Sequence, residues 1–204
     1  MDAAYVFPLS VFGAGLILLI GWLCLTFQNH RATILLVKSL AVFALPMIAF
    51  AFLPPRALSF PFGRWLWILV EELLKAAAAL TEERPTDRFF IVSLFGIWEL
   101  MLSKPLWGLT HAGILSDWHG YELAGLTLAA TVTVLMHCVT AEIYASPLGR
   151  RMPLAIAAGW VVHSLFNGSV EVLGVSLLAS LLQFAALFLV FVAVWPKTSV
   201  APRR

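Results

Sequence analysis

Between Gly63 and Leu80 the chain is apolar for long enough to cross a bilayer, yet the stretch WILVEELLKAAAAL places Glu71, Glu72 and Lys75 near its middle. An ionised side chain at mid-bilayer depth costs roughly 2.5–3.5 kcal/mol on insertion scales. A chain with three such groups on one turn must fold so that they face polar partners rather than lipid. That requirement confines it to a helical bundle with a polar interior.

The remaining sequence fits a membrane setting. It is 61% hydrophobic and 12% charged, against about 45–50% and about 25% in soluble domains. The apolar residues form blocks that predict seven helical spans, roughly 5–27, 32–53, 63–80, 89–104, 123–145, 153–171 and 174–195. The expected fold class is therefore all-α, a polytopic helical membrane protein of about seven transmembrane helices with a polar site in the bundle. Residues 1–204 read as a single integral membrane domain, with no second domain, low-complexity segment or repeat. The first apolar run is too long, and its flank MDAAY too acidic, for a cleavable signal peptide, so it reads as the first span. Cys24 and Cys138 both lie inside apolar blocks and read as inert packing residues. No basic stripe points to nucleic acid.

The connections are short and polar, apart from Pro105 to Glu122. That segment is expected to lie on the outer surface as a short interfacial helix or lid, with Trp107 and Trp118 at headgroup level. His111 and His119 then read as surface residues. Sidedness follows from the basic residues. With seven spans, Arg31, Arg84, Arg88, Arg150, Arg151, Lys197, Arg203 and Arg204 fall on one side, and only Arg56, Arg64 and Lys104 on the other. The expected arrangement is a multi-pass protein of the cell membrane with its N-terminus outside and its C-terminus cytoplasmic. Lys38 lies about two turns into its span, where its stem can snorkel to the interface.

Depth picks out a site. At about 1.5 Å per residue, Glu71 and Glu72, Glu99, His137 and His163 all fall in the middle third of the bilayer, each group on its own span. Glu71 and Lys75 stand i,i+4, which lets them pair, while Glu72 points about 100° away toward another partner. Phe95 and Glu99 share a face, as do His163 and Asn167. Glu71, Glu72, Lys75 and Glu99 together carry a charge of about −2, which low dielectric does not tolerate alone. Protonated histidines, a shared carboxylate proton or a divalent cation could each compensate it.

The motifs EELLK at 71–75, FGIWE at 95–99 and HSLFN at 163–167, with His137 on the span between, resemble the PrsW family of intramembrane proteases. That family belongs with the type II CAAX prenyl endopeptidases and bacteriocin-processing (CPBP) proteins. The resemblance covers about residues 63 to 172, the expected catalytic core. It implies peptide-bond hydrolysis of a membrane-anchored protein substrate at the bilayer. It also implies catalytic roles for Glu71, Glu72, Glu99, His137, His163 and Asn167, supported by Lys75 and Phe95.

Chemically, Glu71 or Glu72 would take a proton from a water that attacks the scissile carbonyl, while His163 and Asn167 stabilise the oxyanion. Two histidines and a carboxylate, here Glu99, His137 and His163, are also a zinc ligand inventory. No H-E-x-x-H helix is present to choose between a metal and a metal-free site. Midplane Glu/His chains serve proton or ion pathways as well, and the same cluster could hold a transmembrane partner in a non-catalytic scaffold. An ion transporter would more often show inverted repeats and broken helices, which the sequence lacks.

Overall fold

The computed structural model describes residues 3–26, 31–52, 61–174 and 176–194. Of the charges used for sidedness, Arg56, Lys197, Arg203 and Arg204 lie outside the described residues. Within the described residues the chain is helical with no strand. The helices are α1 (Ala3–Thr26), α2 (Ala32–Phe52), α3 (Pro61–Leu80), α4 (Pro85–Trp98), α5 (Lys104–Thr110), α6 (Ala112–Leu115), α7 (Gly120–Ala145), α8 (Met152–Leu173) and α9 (Leu177–Val194). A π turn, Glu99–Ser103, joins α4 to α5, and a 3₁₀ turn, Pro147–Arg150, joins α7 to α8. The predicted all-α membrane fold is the observed one.

Four stretches are long and apolar enough to cross a membrane: Tyr5–Cys24, Pro85–Thr110, Gly120–Ala145 and Met152–Leu173. Two shorter apolar helical stretches, Ala32–Ile48 and Leu177–Ala193, approach that length. Helix α3 has the length of a span but its own charges interrupt its apolarity; it packs against α2, α4, α7 and α8. Large apolar side chains such as Ile17, Leu66, Leu165, Leu178 and Leu189 face outward. Such a surface suits lipid, which is as apolar as the side chains it touches.

The bundle is organised around α4 and α7, which pack along each other and carry the densest run of buried residues, Ile91 to Trp98 on α4. Aromatic edges lock the neighbours onto α4: Phe43 of α2 meets Phe95 at 5.2 Å, and Trp22 of α1 meets Phe90 at 5.7 Å. The Trp98 indole donates to Ser39 Oγ at 2.9 Å, which satisfies a buried N–H between α4 and α2.

One boundary departs from expectation. Pro105 was expected to end the fourth span near residue 104, but the helix continues to Thr110. The reason is the π turn. Proline lacks an N–H and clashes with the carbonyl four residues back in a regular α-helix. Here the turn before it is widened, and the Lys104 N–H reaches back to the Glu99 carbonyl, five residues away. The long connection therefore shrinks to the segment around α6, and α7 begins at Gly120. His119 caps α7 in a reciprocal capping box with Glu122, and His111 stacks on Trp107 with ring centroids 4.6 Å apart. Both histidines sit at the surface end of the bundle, as predicted.

At the α3–α4 hairpin a second set of charges ties the first two helices to the rest. Glu82 and Asp87 are buried. Arg31 pairs with Asp87 at 2.9 Å and lies 3.7 Å from Glu82, and Lys38 pairs with Glu82 at 2.5 Å. Lys38 thus holds a buried carboxylate. The partners Arg31 and Lys38 are partly exposed, so loss of Glu82 leaves cations that solvent can reach. Glu82→Ala is expected to cost about 1–3 kcal/mol, read as a lower unfolding temperature in detergent, while exposed Glu83→Ala leaves that temperature unchanged.

Candidate functional site

Helices α3, α4, α7 and α8 bring Glu71, Glu72, Lys75, Phe95, His137 and His163 to one place, and the π turn adds Glu99. At its centre is Glu72, fully buried. Its Oε1 accepts from Lys75 Nζ at 2.5 Å and from His163 Nδ1 at 3.0 Å, and its Oε2 accepts from the Tyr144 hydroxyl at 2.9 Å. The approach of α8 depends on Gly159, where a Cβ would stand 2.5 Å from Glu72 Oε2. The carboxylate is enclosed by three helices with both oxygens bonded.

The pairing within α3 is the reverse of the one expected. Lys75 bonds Glu72, at i,i+3, and not Glu71 at i,i+4. Both spacings bring side chains together on a helix, and the surroundings choose. Glu72 faces α7 and α8, where Tyr144 and His163 supply further donors that a buried carboxylate requires. The Lys75 ammonium also lies 5.0 Å from the centre of the Phe95 ring, a cation–π contact that gives Phe95 its supporting place.

Glu71 is differently placed. Its side chain is 16% exposed, Oε1 accepts from the Trp67 indole at 2.9 Å, and Oε2 lies 3.7 Å from His163 Nε2. His163 therefore stands between the two glutamates, one ring nitrogen toward each. His163 Nδ1 also lies 3.5 Å from Lys75 Nζ; in the tautomer that gives its Nδ1–H to Glu72, Nε2 is left as an acceptor facing another acceptor, Glu71. Two acceptors at that separation call for a proton donor beside them.

Glu99 forms the second half of the cluster. His137 Nε2 donates to its Oε2 at 2.8 Å, and Lys104 Nζ bonds its Oε1 at 2.7 Å. His137 is buried against Gly96, whose missing side chain makes room: a Cβ there would lie 2.7 Å from the imidazole. The two histidine rings meet edge to face with centroids 5.4 Å apart, which joins the halves. With the histidines neutral, three carboxylates oppose Lys75 and Lys104, so the charge left over is one unit rather than the two inferred from sequence.

Lys104 and Tyr144 were missed by sequence reasoning. Lys104 read as a flanking charge, because in a regular helix residues five apart point about 140° away from each other. The π turn closes that angle. Tyr144 had a legible signal: it stands i+7 from His137, on the same face of α7, and a buried tyrosine hydroxyl needs a partner.

One expectation is corrected. Glu99, His137 and His163 do not assemble as a metal site: among the described residues no group of three or more His, Cys, Asp or Glu is arranged to hold a metal ion. The reason is local pairing, with His137 Nε2 turned to Glu99 and His163 Nδ1 turned to Glu72. Asn167 lies one turn along α8 from His163, half-buried, and no hydrogen bond ties it to the cluster. Cys138, adjacent to His137, is a free thiol, as is Cys24.

The cluster itself is tightly packed. Grooves of about 520 and 620 Å³ flank α1 instead, one against Pro105 and Leu109, the other against Trp118 and Thr131 of the α7 side. Compared with family models, curated proteins and solved structures, the chain matches none.

The stability of this arrangement rests on the pairing of Glu72 with Lys75. Lys75→Met strands the Glu72 charge in the bundle and is expected to cost about 3–5 kcal/mol, whereas Glu72→Leu combined with Lys75→Met removes both charges and recovers part of it, the Tyr144 hydroxyl and His163 being left without their acceptor. Unfolding temperatures of the single and double variants in one detergent check the difference.

Proposed function

We propose that the protein is an intramembrane endopeptidase that hydrolyses a peptide bond of a membrane-anchored protein substrate, with Glu71 as general base. The observation that carries this reading is the convergence of Glu71 Oε2 and His163 Nε2, 3.7 Å apart. A water placed against both acceptors gives one proton toward each and turns its lone pairs outward. Support also comes from the resemblance of EELLK, FGIWE and HSLFN to the PrsW motifs.

The step balances as follows. The water oxygen bonds the scissile carbonyl carbon while its proton passes to Glu71. Collapse of the tetrahedral intermediate breaks the C–N bond, and the proton on Glu71 moves to the departing amine nitrogen. Glu72 acts differently from its neighbour, because both its oxygens are already bonded: it orients His163. Asn167, uncommitted one turn away, can donate its amide N–H to the developing oxyanion. Glu99 is held at the rim of the cluster by His137 and Lys104.

The sidedness that goes with this reading puts the N-terminus outside and the C-terminus in the cytoplasm. Its support is the clustering of Arg31, Arg84, Arg88, Arg150 and Arg151 at one end of the bundle, where Arg31 bonds the α3–α4 hairpin. In a Cys24→Ala, Cys138→Ala background, a cysteine at exposed Ser116 should react with an impermeant thiol reagent from the outer side only.

The activity test uses purified protein in detergent with membrane-anchored peptides. Glu71→Gln keeps the size of the side chain but cannot take the proton, so cleavage should fall by roughly 10²–10⁴-fold while the protein stays folded. Persistent cleavage in that variant rejects Glu71 as the base, and persistence in Glu72→Gln as well rejects the carboxylate mechanism. Proton flux in proteoliposomes without cleavage would assign the cluster to an ion pathway, and neither activity would leave a scaffold.

A further inference from the structure

The geometry points to Tyr144 as a positioning residue that sets the site through Glu72 and His163; this rests on the hydrolytic reading given above. The chain of contacts is continuous. The Tyr144 side chain is fully buried, and its hydroxyl donates to Glu72 Oε2 at 2.9 Å while lying 3.1 Å from the Glu72 backbone carbonyl. The opposite oxygen, Oε1, receives Lys75 and His163 Nδ1. His163 Nε2 then faces Glu71.

Lys75 alone would neutralise Glu72 without fixing its rotation, because a carboxylate turns about its terminal bond and presents either oxygen to an ammonium group. The hydroxyl engages the oxygen that Lys75 does not use, and so removes that freedom. Gly159 closes the remaining side: the space a Cβ would take there is filled by Glu72 Oε2, with the Tyr144 hydroxyl oxygen 3.1 Å from the same point. A carboxylate held at both oxygens is a fixed acceptor for His163 Nδ1–H. It sets which imidazole nitrogen carries the proton and where the other one points, as a buried aspartate does for histidine in hydrolytic triads. Tyr144 touches no reacting atom. Its effect passes through two other side chains.

Tyr144→Phe removes only the hydroxyl and tests this directly. Cleavage is measured as kcat and KM on a membrane-anchored peptide, beside wild type and Glu71→Gln. The imidazole ¹⁵N spectrum of His163 is recorded in histidine-labelled protein, assigned among the five histidines with His163→Gln. In Tyr144→Phe, kcat should fall about tenfold, as for other outer partners that orient a functional histidine, with KM unchanged and His163 shifted toward a mixture of tautomers. Glu71→Gln should abolish cleavage. An unchanged His163 spectrum in Tyr144→Phe overturns the proposal, and so does an unchanged kcat beside a cleaving wild type. No cleavage by wild type, together with a shifted His163 spectrum in Tyr144→Phe, overturns the hydrolytic reading and upholds the orienting role of the hydroxyl; cleavage that survives Glu71→Gln overturns Glu71 as the base.

Discussion

The Glu72 carboxylate is the interaction on which the arrangement depends. It is fully buried and joins α3 to α7 through Tyr144 and α3 to α8 through His163, with Lys75 supplying the opposite charge from its own helix. In a bilayer the apolar effect does little to hold helices together, since lipid is as apolar as leucine. Polar contacts and close packing must then specify which helices are neighbours. Glu72 does this for three helices at once, and the absence of a side chain at Gly159 is what lets α8 come near enough to take part.

Once Glu72 is fixed, the difference between the adjacent glutamates follows from position alone. They are one residue apart and so point about 100° apart on the helix. One is turned into the bundle and fully bonded; the other is partly exposed with an oxygen facing His163 Nε2. Identical side chains acquire different surroundings because one has both oxygens engaged by side chains of the bundle and the other turns an oxygen to the unbonded face of His163. The second pair of charges, Glu99 with Lys104, repeats the theme at the rim of the cluster. There His137 performs the inward bond, and Gly96 makes the space for it.

Much of this was legible in the sequence. The seven apolar blocks gave the helices to within a few residues, and the shared depth of Glu71, Glu72, Glu99, His137 and His163 anticipated the cluster. What was not legible depends on contacts between distant segments or on irregular backbone. Lys75 could have chosen either glutamate on local geometry, and α7 and α8 decided. Lys104 could be brought to Glu99 only by a helical register that ordinary periodicity does not contain. The triad Glu99, His137 and His163 had the right chemical types for a metal but is not arranged around one point, with His137 Nε2 turned to Glu99 and His163 Nδ1 to Glu72, which composition cannot reveal.

The π turn at Glu99–Ser103 also has a bearing on descent. A turn of this kind holds one residue more than the α-helical turn it replaces, so the simplest route to it is insertion of a single codon. The helix before Glu99 and the helix after Ser103 then obey separate phases. When this helix is aligned with an uninterrupted counterpart, a one-residue gap belongs between Glu99 and Lys104; a gapless alignment would superpose side chains that point to different sides of the bundle.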